Sequence, residues 1–277
     1  MKTFQLPSSQ NIPVLGMGTW RMGEDRQNRE QEVAALQRGI ELGLTLIDTA
    51  EMYGEGEAER VVAEAVGSRR TSIYITSKVY PHNASKKEAI AACERSLKRL
   101  NTDYIDLYLL HWRGTVPLSE TLDAFKTLKR AGKIRDYGVS NFDTKDMEAA
   151  ALLDKRKEIA TNQVLYNLTR RGIELNLLPW CRKRNIPIMA YSPIEQGRLL
   201  GSQTLASIAE SHQVSEAQVA IAWLLHQKNI IVIPKASNIE HVEQNHAALN
   251  LTLSKEDLNT LDKAFPKPNR PTRLEML

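Results

Sequence analysis

Apolar and polar positions alternate along this chain in two distinct rhythms. Short runs without a polar face recur at 44–48 (LTLID), 72–76 (SIYIT), 104–110 (YIDLYLL), 134–140 (IRDYGVS), 160–166 (ATNQVLY), 186–191 (IPIMAY) and 230–234 (IIVIP). Runs of this kind read as strands buried on both faces, as in a covered parallel sheet. A shorter segment at 16–19 (GMGT) reads as the strand that precedes them. Between the strands lie segments with helical spacing at 30–42, 57–66, 85–100, 119–131, 144–154, 173–184, 202–212, 215–227, 239–249 and 254–264. Gly43, Gly67 and Gly132 supply stop signals, and Ser85 stands three residues before Glu88, the spacing of a capping box. Eight strands, each followed by helix, favour an α/β fold of the closed (β/α)8 TIM-barrel type over an open sheet. Residues 4–6 and 12–15 flank the turn-rich PSSQN and predict an N-terminal β-hairpin that plugs the lower end of the barrel. The expectation is one barrel domain over 1–277, with that hairpin and two extra helices.

In a parallel barrel, side chains at the carboxyl ends of different strands converge on one face, and that is where chemistry sits. Asp48, Lys78 and His111 stand at three consecutive strand exits, and Tyr53 follows Asp48 by five positions. Singly, each has a plain structural reading: a capping aspartate, a solvated lysine, a core histidine, a half-buried ring. Together they form a set, because a lysine buried at such an exit needs a partner, and Asp48 is the candidate. An ammonium beside a tyrosine favours phenolate and is expected to lower the hydroxyl pKa from about 10. Tyr53 could then deliver a proton to a carbonyl oxygen while neutral His111 fixes the carbonyl's direction.

Composition narrows the class. A hydrophobic fraction of 42% and a charged fraction of 25% are ordinary for a globular chain, and the net charge of +4 is mild, its basic clusters sitting within amphipathic helical patterns. Neither a nucleic-acid partner nor a membrane partner is expected. Cys93 and Cys181, the two cysteines, lie far apart in helical segments, so no disulfide framework is indicated and a cytoplasmic location fits. No apolar run approaches the roughly 18 residues of a membrane span. His82, His212, His226, His241 and His246 lack metal-ligand spacing, so no metal is expected. Gly16 and Gly18 begin a dinucleotide fingerprint, but Arg21 occupies its third glycine position.

The segments LGMGTW (15–20), LIDTAEMYGEGE (46–57), ITSKV (75–79), YIDLYLLHW (104–112), IRDYGVSNF (134–142), NQVLYN (162–167), MAYSPI (189–194) and IPKASN (233–238) together resemble the aldo-keto reductase family, bacterial aldehyde and methylglyoxal reductases in particular. The resemblance covers nearly the whole chain. It implies a barrel that binds extended NADPH without a Rossmann domain, with NADH as a weaker alternative. By similarity, Tyr53 is the general acid, His111 orients the carbonyl, and Lys78 with Asp48 tunes the tyrosine. Ser140, Asn141 and Gln163 would hold the nicotinamide carboxamide, and Tyr191 would stack on the ring. Ser192, Pro193, Gly197 and Leu199 would follow the pyrophosphate, Lys235 and Ser237 the 2′-phosphate, and Gln244 and Asn245 the adenine.

Two departures from the family pattern change the expectation. Ala236 and His241 stand where serine and arginine usually follow the lysine, so a bidentate guanidinium contact to the 2′-phosphate is missing and the preference for NADPH is reduced. By the same resemblance Trp20, Tyr80 and Trp112 would line the substrate pocket, but the loop after Trp112 and the C-terminal tail are short, which predicts a shallow, open pocket for small aldehydes such as methylglyoxal. A monomer is expected. Two rivals remain: a nicotinamide-binding regulatory or sensor protein on the same barrel, and a barrel hydrolase using Asp48 and Glu51 as an acid pair.

Overall fold

The computed structural model describes residues 2–155 and 157–277. Two short strands, β1 (Thr3–Gln5) and β2 (Asn11–Pro13), pair antiparallel as the expected hairpin. Eight parallel strands follow: β3 (Gly16–Gly18), β4 (Leu46–Asp48), β5 (Tyr74–Val79), β6 (Ile105–Leu110), β7 (Ile134–Ser140), β8 (Ile159–Leu165), β9 (Ile188–Tyr191) and β10 (Ile230–Val232), neighbouring one another in chain order. The circle closes where Val232 N donates to Val14 O and Gly18 N to Pro234 O, both at 2.9 Å. Parallel bridges Leu15–Val232 and Gly18–Lys235 mark the same seam.

The outer helices are α1 (Arg29–Glu41), α2 (Glu57–Val66), α3 (Lys86–Leu100), α4 (Leu118–Arg130), α5 (Thr144–Leu153), α6 (Leu177–Lys183), α7 (Gln203–His212), α8 (Glu216–His226), α9 (Ile239–Ala247) and α10 (Lys255–Ala264). Two of these exceed the one helix per strand of the repeat: β9 is followed by both α7 and α8, and α10 ends the succession. Caps set the boundaries. Ser85, Asp143 and Asn238 accept the amides of Glu88, Asp146 and His241, and Ser215 with Gln218 forms a full capping box. The continuous helix expected over 173–184 is instead a 3-10 turn at Gly172–Leu175 followed by α6. Pro179 explains the break, since its ring would clash with the carbonyl four residues back, whereas at the third position of a new helix its missing amide costs nothing.

Alternation along the strands divides the apolar residues into two sets. Leu46, Leu107, Leu109, Ala160, Met189, Ile231 and Ile233 fill the barrel interior, and Leu6 and Ile12 of the hairpin pack onto them from below. Ser8 Oγ adds a 2.7 Å bond to the buried Asp136 of β7, so the hairpin does plug the N-terminal end. The outward set packs against the helices as one large cluster that includes Trp223, Phe125 and Tyr108. No helix among the described residues is long and apolar enough to cross a membrane.

One irregularity lies close to the chemistry. Between β7 and β8, Tyr137 faces Ile159 but Val139 faces Asn162, so β8 carries one extra residue. Gly138 makes the room: a Cβ there would lie 2.6 Å from the Thr161 carbonyl oxygen. Gly138→Ala should therefore force the two strands apart and destabilise the fold by about 1–3 kcal/mol, in line with other overpacked positions. Urea unfolding checks this, and an unchanged midpoint would show that the bulge yields freely.

Candidate active site

Lys78 organises the C-terminal face. It projects inward from β5 with a side chain wholly removed from solvent, and its ammonium donates to Asp48 Oδ2 (2.7 Å), the Thr49 carbonyl (2.9 Å) and the Tyr53 hydroxyl oxygen (3.2 Å). All three of its N–H groups are thereby used. Burial works against the ammonium, but Asp48 and Tyr53 outweigh it, and the lysine pKa moves upward. Asp48 is raised by burial, with Lys78 and Gln163 pulling it back. Gln163 donates its amide nitrogen to Asp48 Oδ1 at 2.7 Å, so both carboxylate oxygens are occupied.

Tyr53 leaves its own hydroxyl proton for another acceptor, because the oxygen accepts from Lys78. Its pKa corrects the sequence expectation: burial raises it above the ordinary tyrosine value, and Lys78 opposes that shift without reversing it. A buried phenol thus keeps its proton at neutral pH, while the ammonium stands ready to stabilise the oxygen once the proton leaves. The His111 ring lies 5.8 Å from Tyr53, edge to face. Burial, and then the charge of Lys78, lower its pKa well below the usual histidine value, so it is neutral. Its Nδ1 is sealed from solvent without a partner among the described residues, and a proton assigned to Nε2 avoids burying an unpaired N–H.

The residues expected at the nicotinamide also meet. Ser140 Oγ donates to the Gln163 carbonyl (2.9 Å), Asn141 Nδ2 donates to the His111 carbonyl (3.1 Å) and Ser140 Oγ (3.3 Å), and Tyr191 OH donates to Asn141 Oδ1 (3.0 Å). The donors of this group are spent internally, and its spare capacity is acceptor capacity at Gln163 Oε1 and Asn141 Oδ1. Further along, Lys235, His241, Gln244 and Asn245 line a cleft of about 550 Å³ with Ile194 and Glu216. Lys235 has no carboxylate within ion-pair distance among the described residues, and partial burial lowers its pKa despite the pull of Glu32. Ser237 does not line this cleft. Between the two groups runs the segment from Ser192 to Gly197, with left-handed backbone at Ser192 (φ 49°), Glu195 (52°), Gln196 (56°) and Gly197 (87°). Pro193 and Leu199 are both buried.

Tyr80 and Trp112 pack edge to face at 5.5 Å, and Trp112 lies 4.9 Å from His111. Trp20 instead carries the Arg21 guanidinium 4.5 Å from its ring centroid and makes no aromatic contact with the other two. The tail is irregular but docked. Leu274 packs on the core, and Glu275 pairs with Arg170 (2.6 Å). The tail is thus held against the barrel by these contacts.

Four buried or nearly buried glutamates play parts that sequence reasoning missed. Glu51 accepts from Tyr80 N (2.8 Å) and Asn83 Nδ2 (3.0 Å), which takes it away from Asp48 and dissolves the proposed acid pair. Glu32 holds Gly23 N (2.8 Å), Glu59 binds Ser77 and Arg99, and Glu195 binds Arg170 and Asn167. Glu32 and Glu59 left a trace in the sequence, for they stand on the apolar stripes of their helices, Glu32 with Leu36 and Ile40 on α1 and Glu59 with Val62 and Val66 on α2. No cluster of His, Cys, Asp and Glu among the described residues could hold a metal ion.

Known proteins match this arrangement along its length. The model of the aldo/keto reductase family matches residues 14–265. The chain is 51% identical to methylglyoxal reductase YeaE of Escherichia coli K12, over 100% of this chain and 99% of that protein. It is 34% identical to glyoxal reductase of Bacillus subtilis 168, covering 94% and 91%. A crystal structure of an aldo-keto reductase from Klebsiella pneumoniae in complex with NADPH superposes with a TM-score of 0.96 at 49% identity, over 100% and 99% of the two chains. With the barrel, the buried Asp48–Lys78–Tyr53 chain and these matches, the protein belongs to the aldo/keto reductase family.

Proposed function

We propose that this chain is an NADPH-dependent carbonyl reductase for small aldehydes and ketones such as methylglyoxal, with Tyr53 as proton donor. One observation carries the reading: a fully buried ammonium spends its three protons on Asp48, a carbonyl and the Tyr53 oxygen, leaving the tyrosine proton directed elsewhere. The names of the relatives and the NADPH in the Klebsiella structure support the substrate class and the cofactor.

The residues fit that cofactor. Lys235 is a cation without a carboxylate partner among the described residues, in a cleft of nucleoside size, and acceptors at Gln163 and Asn141 suit the amino group of a carboxamide. Tyr191 would lie against the ring, Ser192, Pro193, Gly197 and Leu199 would offer backbone to the pyrophosphate, and Gln244 and Asn245 would meet the adenine. When bound, NADPH supplies the hydride to the carbonyl carbon. The chain does the rest. His111, neutral, donates from Nε2 to the carbonyl oxygen and sets its direction. As negative charge grows on that oxygen, Tyr53 transfers its proton, and Lys78, held by Asp48, stabilises the phenolate left behind. Tyr80 and Trp112 bound the substrate space, with Trp20 at its rim. The reading assigns this activity to one barrel domain over 1–277, acting as a cytoplasmic monomer; the two free cysteines, both buried with thiols pushed up to about 12, are consistent with a reducing compartment.

Tyr53→Phe should bind NADPH normally, measured by quenching of protein fluorescence, but lose about 10²- to 10⁴-fold in turnover of methylglyoxal. Near-normal turnover would remove Tyr53 from its role, and NADPH binding by the wild type without any turnover would favour the sensor.

The pH profile follows from the two shifts. A donor whose pKa is raised stays protonated below that value, and a histidine whose pKa is well lowered does not titrate near neutrality. Turnover in the reductive direction should therefore be level across the neutral range and decline only in alkali, with no limb near the ordinary histidine value of about 6.5. A limb there would contradict the neutral role of His111.

His241→Arg should restore a charge-assisted contact and improve KM for NADPH about tenfold relative to NADH. An unchanged ratio would place the 2′-phosphate outside this cleft.

A further inference from the structure

The turn that carries Tyr53 runs left-handed through three residues. Gly54 (φ 55°) and Gly56 (94°) adopt this backbone freely, but Glu55 (54°) between them pays for it and needs its surroundings to hold it. What lies against the turn is Arg99 of α3. A Cβ on Gly56 would come within 2.5 Å of Arg99 Cδ and Nε, so the glycine lets the guanidinium stem lie directly on the backbone. Arg99 Nε donates to Glu59 Oε2 at 2.6 Å, and its NH2 donates to Ser96 Oγ at 3.2 Å. The other carboxylate oxygen of Glu59 accepts from Ser77 Oγ at 2.7 Å.

Ser77 and Lys78 are successive residues of β5, so they face opposite sides of the strand. Glu59 therefore grips the outer face of the strand at the point where its inner face presents Lys78. The Glu59 side chain is completely buried and that of Arg99 is 16% exposed. An ion pair so placed is weak evidence for stability, since hydrophobic residues of similar volume often do as well. Its position supplies the other explanation. The Lys78–Tyr53 contact, at 3.2 Å, is the longest of the three that Lys78 makes, and it joins two different segments of chain, the strand and the turn.

We propose that Glu59 and Arg99 are positioning residues for proton transfer: the pair clamps the Tyr53 turn to the strand of Lys78 and so fixes the distance between the phenol oxygen and the ammonium. The proposal rests on the reductase reading above. Neither side chain belongs to the groups assigned to substrate or cofactor, and the clamp acts through Tyr53 and Lys78. Loosening it should leave cofactor binding intact, because Lys235, Gln244 and Asn245 lie on other elements, and should weaken only the step that needs the proton.

The test compares wild type, Glu59→Gln and Arg99→Lys for kcat with methylglyoxal, NADPH affinity by fluorescence quenching, the pH dependence of kcat, and the unfolding midpoint. Glu59→Gln should lose roughly ten- to a hundredfold in kcat, the scale of a small misplacement at a reacting centre. NADPH affinity should be unchanged. The alkaline limb of kcat should move to higher pH, because a phenolate farther from Lys78 is less stabilised and Tyr53 holds its proton more tightly. Arg99→Lys, which keeps the charge but not the planar contact on Gly56, should fall between the two. If Glu59→Gln does not fold, Arg99→Lys carries the same test. A folded variant with wild-type kcat and an unmoved limb overturns the proposal, as does a loss of NADPH affinity in step with kcat, which marks general loosening. A wild type inert with NADPH and carbonyls overturns the reductase reading and the clamp with it; an active wild type with unaffected variants overturns the clamp alone.

Discussion

A lysine ammonium cannot be held inside a barrel without compensation, and the architecture of this protein's upper face follows from that constraint. Lys78 has no access to water, so every one of its protons needs an oxygen supplied by the fold. Asp48, the Thr49 carbonyl and Tyr53 supply them, and all three come from one stretch of chain at the end of β4. Asp48 in turn needs a second donor, which arrives from Gln163 on the far side of the barrel. The stacking of strand against strand is what brings these groups together, and chemistry competent for proton transfer emerges from satisfying one buried charge.

The loops around that centre share a second device. Each is short, several are left-handed at non-glycine positions, and each is tied by a buried or nearly buried carboxylate: Glu32 at Gly23, Glu51 at Tyr80, Glu59 through Arg99 at Gly56, and Glu195 through Arg170 at the segment after Ser192. A carboxylate suits the task because it accepts several bonds at once and carries charge that makes each of them stronger. Arg170 extends this scheme to the tail, since it binds both Glu195 and Glu275. Burial alone would raise the Glu195 carboxyl, but the bonds from Arg170 and Asn167 outweigh the loss of water and hold it below the usual carboxylate value. The rigid strands thus fix the reacting groups, and paired charges fix the loops.

The sequence announced much of this and was silent on the remainder for identifiable reasons. Eight unbroken apolar runs could be read as strands because a sheet covered on both faces leaves no polar side, and Gly43, Gly67 and Gly132 all adopt the positive φ expected of helix stops. Asp48, Lys78 and His111 were legible as polar residues at strand exits. The break before α6 was also written there, in Pro179, but the apolar spacing on either side masked it. Arg99 and Arg170 gave no signal: their partners lie 40 and 25 residues away, and an arginine on a helix or in a turn looks the same whether it faces water or a buried glutamate. The direction of the Tyr53 shift was misjudged because proximity to a charge can be inferred from sequence, whereas the depth of burial that outweighs it cannot.

The extra residue in β8 decides more than local geometry. Ala160 points into the barrel floor, and Gln163, three positions later, also points inward to meet Asp48. In a regular strand residues an odd number apart face opposite ways, so Ala160 and Asn162 would share the interior and Gln163 would look out at the helices. The bulge reverses the parity within a single strand, letting one element serve an apolar floor and a polar ceiling. Loops of this barrel can lengthen or shorten at the rim, but the number of residues between Ala160 and Gln163 is fixed by the hand with which the strand presents its side chains.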